Sequence, residues 1–149
     1  MLPLVHTVVL ALHVLFAAAW FGMASALPAL VRSAMRPGAA EGGKVVGAMN
    51  GSAVLFYGFA VANWTLGMQL GFEAQYNAWP YHTALTLGLI LVAVQLLLIR
   101  TGWNKLVAGV GTPEAESGRK RLAAGLGIGN LVWLVLFILM YVGRGVVGG

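Results

Sequence analysis

The stretch Leu4–Phe21, LVHTVVLALHVLFAAAWF, decides the class of this chain. Apart from Thr7 and two histidines, every side chain in it is apolar, and its length is close to the roughly 20 residues that cross a bilayer core. His6 and His13 stand seven residues apart, nearly two helical turns. On a helix the two imidazoles therefore share one face, about 10 Å apart along the axis. Polar rings in hydrocarbon are costly and mark a function or a partner.

Composition agrees with that reading. Of 149 residues, 60% are hydrophobic and only 9% charged, whereas a soluble domain carries about a quarter charged residues. Mean hydropathy is +0.86. The chain has no cysteine, which excludes disulfides, thiolate metal sites and Cys nucleophiles. No basic stretch precedes the first apolar run and that run is too long for a signal-peptide core, so it reads as a membrane anchor rather than a cleavable signal.

Four apolar spans are expected, at about Leu4–Val31, Ser52–Phe72, Pro80–Ile99 and Leu122–Val142. Runs this long and continuous cross a membrane as helices. Between them lie RSAMRPGAAEGGK, EAQYNAW and RTGWNKLVAGVGTPEAESGRKR, read as polar connections. The short middle one makes the second and third spans antiparallel neighbours. The expected architecture is all-α and integral to the membrane, an up-down bundle of four transmembrane helices filling residues 1–149 as one domain.

Charge orients it. Arg32, Arg36, Lys44, Arg100, Lys105, Arg119, Lys120 and Arg121 fall on one side and Arg144 alone on the other. Eight against one predicts cytoplasmic basic loops, both termini on the non-cytoplasmic side, and residence in the cell's inner (cytoplasmic) membrane. The net charge of +5 is then topological, with attraction to anionic lipid. No nucleic-acid partner is expected.

The third histidine, His82, follows Trp79-Pro80-Tyr81, with Pro80 suited to the first turn of a helix. All three histidines fall in the outer half of the bundle, His6 and His82 at similar depth and His13 deeper. Met68 and Met140 reach the same layer. Imidazoles facing one another across a bundle are axial ligands for a b-type haem, whose second ring nitrogens need an acceptor of their own. The plainer alternative is an interfacial or interhelical hydrogen bond for each ring. Without Cys-x-x-Cys-His the haem is expected to be non-covalent haem b. Candidate cofactor ligands are His13, His82 and His6, with Met68 and Met140 behind them. The metal set is the three histidines. Asn63, Trp64 and Asn130 read as interhelical polar groups. Gly125, Gly127 and Gly129 match no phosphate loop and suit close packing, against a helix or a flat macrocycle. No pair of carboxylates lies inside the membrane, which excludes glycosidase-like and two-metal chemistry there.

LHVLFAAAWFGMASALPALV, with His13 seven residues before Trp20-Phe21-Gly22, resembles the first helix of the HemJ-type protoporphyrinogen oxidases and of the related CopD-like copper-resistance membrane proteins. Trp79 followed by His82, and RLAAGLGIGN with Arg121, are weaker echoes. The resemblance implies a small helical bundle with haem b, and places the haem-associated histidine on His13. The family's functional lysine in the third helix has no match in Pro80-Tyr81-His82-Thr83-Ala84.

The leading expectation is thus an iron-binding oxidoreductase-type membrane protein moving electrons through haem near the outer face. Its electron partner would be a quinol, a porphyrinogen or a neighbouring redox protein. The alternatives are a protoporphyrinogen oxidase, a cofactor-free accessory subunit of a larger membrane complex or homo-oligomer, and copper handling through the His and Met layer.

Overall fold

The computed structural model describes residues 2–33 and 39–147; Arg36, counted above among the basic residues, lies outside them. The described residues are helical apart from short turns. Helix α1 spans Leu2–Ser33, α2 Ala39–Gln69, and α3 is a single turn, Glu73–Tyr76. Helix α4, Trp79–Val94, runs through a π-helical segment, Gln95–Arg100, into α5, Thr101–Ala108; α6 is Pro113–Val147. Among the described residues four stretches are long and apolar enough to cross a membrane: Leu2–Arg32, Ala40–Gln69, Trp79–Ala108 and Pro113–Gly143. At 30 or 31 residues each and about 1.5 Å per residue, they outreach a hydrocarbon core of about 30 Å. This is the integral, all-helical architecture that the sequence predicts.

The helices are longer than their apolar cores. Helix α2 begins at Ala39 rather than near Ser52, because small residues let it continue toward the basic end, where Gly42 lies directly under the Trp103 ring. Most of the connection read as RTGWNKLVAGVGTPEAESGRKR is also helical. Only residues 109–112 break it, where Gly111 takes φ +84°. Thr112 then starts α6: its hydroxyl accepts from the Glu114 N–H at 3.3 Å, Pro113 follows, and Glu114 and Glu116 occupy the first turn. This is the arrangement that satisfies free N–H groups and complements the helix dipole. The α2–α4 connection carries α3 in place of an irregular loop, closed by Gly71 at φ +83°.

Neighbours pack antiparallel. Along α1 and α2, Phe16 stacks on Phe59 and Trp20 meets Phe56, and just beyond the end of α2 His6 meets Phe72. Between the last two spans the backbones touch: a Cβ on Gly118 would stand 2.5 Å from the Leu106 nitrogen and 2.7 Å from the Gly102 carbonyl. One Cβ on Gly125 would fall 2.9 Å from Leu98 Cβ, whereas Gly127 faces open space. The core centres on Trp20, Leu27, Met49, Phe56, Leu91, Trp133 and Leu136.

Helix α1 is unevenly held. From Trp20 onward it buries Trp20, Ala24 and Leu27, but residues 2–19 include no fully buried side chain. Both histidines of the opening stretch lie in that open half.

Candidate functional site

The three histidines occupy three different settings. His13 is half-buried, with its ring stacked on Phe56 at a centroid distance of 4.8 Å. Its Nδ1 lies 3.1 Å from the Phe56 carbonyl oxygen. A carbonyl only accepts, so in the neutral ring Nδ1 carries the proton and Nε2 keeps its lone pair. That is the tautomer in which imidazole binds a metal while a backbone carbonyl holds the other nitrogen.

His6 belongs to a cluster at the outer end. The Tyr76 hydroxyl hydrogen-bonds His6 Nε2 at 3.0 Å, and the two rings meet edge-on. The Tyr76 ring lies over Gly67, where a Cβ would come within 2.4 Å of it, and faces Tyr81 at 5.3 Å. Trp64 Nε1 donates to the Tyr76 carbonyl at 2.7 Å. Burial pushes the Tyr76 phenol up from its ordinary value; the Asn63 side chain acts against that shift and Tyr81 adds to it. Two buried polar atoms here have no partner, His6 Nδ1 and Asn63 Oδ1. Unpaired atoms of this kind mark a place for a water or the polar edge of a ligand.

His82 is exposed beside the same cluster. Its Nε2 donates to Asn77 Oδ1 at 3.0 Å, and its ring meets Trp64 at 5.8 Å. Tyr76 and Trp64 therefore tie His6 and His82 to one end of the bundle, while His13 sits apart on Phe56. Among the described residues no three His, Asp or Glu side chains converge as a metal cluster. Met68 is half-buried in the last turn of α2, and Met140 is exposed on α6.

Space bears on any cofactor. The cavity lined by Trp20, Leu91, Asn130 and Trp133 holds about 10 Å³, room for about one water, whereas ligand pockets run to several hundred Å³. Aromatic packing accounts for this: Trp133 contacts Trp20, Phe56 and Phe21 at centroid distances of 5.2–5.8 Å. His13 lies outside this closed core, on the open half of α1.

One polar feature escapes the sequence reading. Gln95 is fully buried at the start of the π-helical segment. It accepts from Trp20 Nε1 at 3.1 Å and donates through Nε2 to Asn50 Oδ1 at 2.8 Å. Three spans are thereby joined in mid-bundle. The lone amide in LVAVQLLLIR is the signal that could have found it.

No family model, no curated protein and no solved structure matches the chain.

Proposed function

We propose that this chain is a b-type haem membrane protein that passes electrons near the end of the bundle holding its histidines, with His13 as the first axial ligand. The observation that carries the reading is the His13 ring, fixed by the Phe56 carbonyl so that Nε2 is free to bind a metal. When bound, the haem would supply one-electron iron chemistry. The chain's own part is to hold the ring: the carbonyl sets the tautomer and raises the basicity of Nε2, and stacking on Phe56 limits its rotation. His82, with Nε2 committed to Asn77, offers Nδ1 for the second position, with Met68 and Met140 behind it; His6, about 10 Å from His13 along α1, would share an iron with His82 instead. The charge asymmetry supports cytoplasmic basic loops, outward termini and the inner membrane. A quinol, a porphyrinogen or a redox protein would then meet the cofactor from the outer side. Porphyrinogen oxidation itself is the weaker form of this reading, since no lysine stands in the third span near His82.

The test is a visible spectrum and a pyridine haemochrome assay on freshly purified protein, with metal analysis for copper. A Soret band that His13→Ala depletes supports the reading. Colourless, iron-free protein from cells supplied with haem refutes it.

A second reading is favoured by the closed core: a cofactor-free accessory subunit whose open α1 half packs against a larger complex or a second copy. It predicts colourless protein that purifies with partner chains from mild detergent.

A further inference from the structure

At the basic end of the bundle a groove of about 320 Å³ opens between the last turn of α1, helix α5, the Gly111–Thr112 turn and the first turns of α6. Its floor is apolar. Leu106 and Ala115 are buried, and Val31 is half-buried along one wall. Its rim holds Glu116 and Arg119. Arg119 is gripped by a fork, Nε to Glu116 Oε2 and Nη2 to Glu116 Oε1, both at 2.8 Å. The fork uses two of the five guanidinium N–H donors and fixes the plane of the rest. Thr112 is occupied, with its hydroxyl donating to the Gly109 carbonyl at 2.7 Å and capping α6.

The surrounding charge is cationic. Arg32 follows Val31, Lys105 precedes Leu106, and Lys120 and Arg121 follow Arg119; Glu114 and Glu116 are the acids nearby. All five cations are exposed. The groove thus joins an apolar floor to a rim of Arg119 and Glu116, with Lys120 3.9 Å from Glu116 Oε1, at the end of the membrane-spanning helices, where lipid headgroups meet acyl chains.

We propose that this groove holds one anionic phospholipid. An acyl segment lies against Val31, Leu106 and Ala115, and the phosphate takes the remaining N–H donors of Arg119. Glu116 serves as the holder of the guanidinium, and Arg119 together with Lys120, 3.9 Å from Glu116 Oε1, sets two cations at the rim against that carboxylate. A zwitterionic lipid satisfies the floor but gains less from the rim. A soluble phosphate satisfies the rim but not the floor. This site is independent of the haem reading, since it lies at the opposite end of the bundle from His6 and His82.

Native mass spectrometry of the purified chain in mild detergent tests it. Phosphatidylglycerol, phosphatidylcholine with the same acyl chains, and free glycerol phosphate are titrated separately. The expected result is one retained phosphatidylglycerol, bound more tightly than phosphatidylcholine, and no retained glycerol phosphate. Arg119→Gln should weaken phosphatidylglycerol about fivefold, the effect of one basic charge near a lipid surface, and leave phosphatidylcholine unchanged. Val31→Trp, which fills the groove, should weaken both lipids. Equal retention of the two lipids overturns the proposal, as does an unchanged phosphatidylglycerol affinity in folded Arg119→Gln. Glycerol phosphate binding as tightly as the lipid would make the site a simple anion site and overturn it too. If Val31→Trp fails to fold, the Arg119→Gln titration and the lipid comparison decide alone.

Discussion

Gln95→Leu is the perturbation that tests the middle of this fold. Leucine is close to glutamine in length but lacks the amide, so Trp20 Nε1 loses its acceptor and Asn50 Oδ1 its donor. An unpaired buried polar group costs about 1–3 kcal/mol, whereas interhelical hydrogen bonds in membranes average about 0.6 kcal/mol because the unfolded helices find other partners. Trp20 is 2% exposed, so its indole N–H bears most of the loss. Asn50 is only half-buried and bears less. The added apolar surface of leucine offsets part of the cost. We expect Gln95→Leu to destabilise the bundle by about 2 kcal/mol, measured as loss of helical circular dichroism when the protein in mixed micelles is titrated with dodecyl sulfate. A cycle sharpens the test. Trp20→Phe removes the stranded donor, so the double variant should be more stable than the two single losses added together, by about 0.5–1.5 kcal/mol. A Gln95→Leu protein within about 0.5 kcal/mol of wild type, or strict additivity with Trp20→Phe, would refute the network as a stabilising element.

Gly118→Ala should destabilise by about 1–3 kcal/mol, because its methyl would meet backbone atoms of Gly102 and Leu106. Gly22→Ala, with nothing within 4 Å, should instead gain up to about 1 kcal/mol from helix propensity; the same unfolding assay checks the opposite signs. Thr112→Ala removes the α6 cap and should cost about 1 kcal/mol, visible as faster proteolysis at residues 109–113. Tyr76 should ionise above the ordinary tyrosine value of about 10, because burial disfavours the phenolate. The folded protein then holds that proton more tightly than the unfolded chain, so stability falls as pH climbs past about 10. Ultraviolet difference titration of wild type against Tyr76→Phe reads the shift, and a difference spectrum centred at or below the ordinary value would contradict the burial of this ring.

The number and order of the spans were legible because each apolar run exceeds what any soluble helix needs, and hydrophobicity alone decides membrane insertion. Helix ends were less legible. Residues 39–51 and 101–108 look like connections because they carry charge, Gly and Asn, yet they continue the helices: Gly42 packs under Trp103, Gly102 against α6, and Asn50 is bonded to Gln95. The site was legible as residue types but not as pairings. His13 stood out as an imidazole in hydrocarbon, but its partner is the carbonyl of Phe56, a backbone atom that no side-chain pattern announces. Tyr76 is 7% exposed and bonded to His6 because Gly67 leaves room for its ring, a pairing that no spacing announces. Gln95 was overlooked because a single amide barely lowers the hydropathy of its span.

The hydrogen bonds now rank the histidines in a way that spacing did not. For the proposed haem, His13 can give Nε2 to iron and keep its bond to Phe56. His6 must release the Tyr76 hydroxyl to do the same through Nε2, or turn its buried Nδ1 outward. His82 must either leave Asn77 or bind through Nδ1. His13→Ala should therefore yield haem-depleted or high-spin protein, with loss of the six-coordinate low-spin bands in the reduced spectrum. Tyr76→Phe separates the other two: it frees His6 and leaves His82 untouched. If His6 is a ligand, it shares the iron with His82 rather than with His13, about 10 Å away along α1; freeing it should then preserve or sharpen the low-spin spectrum, and His6→Ala should abolish it. If His82 is the second ligand, His82→Ala should abolish the low-spin spectrum while His6→Ala leaves it intact. Full haem content and an unchanged spin state in His13→Ala would remove the first ligand from the proposal. The His13–Phe56 contact would then be an interhelical hydrogen bond between α1 and α2, and the seven-residue spacing a consequence of two polar rings sharing the face that packs on α2.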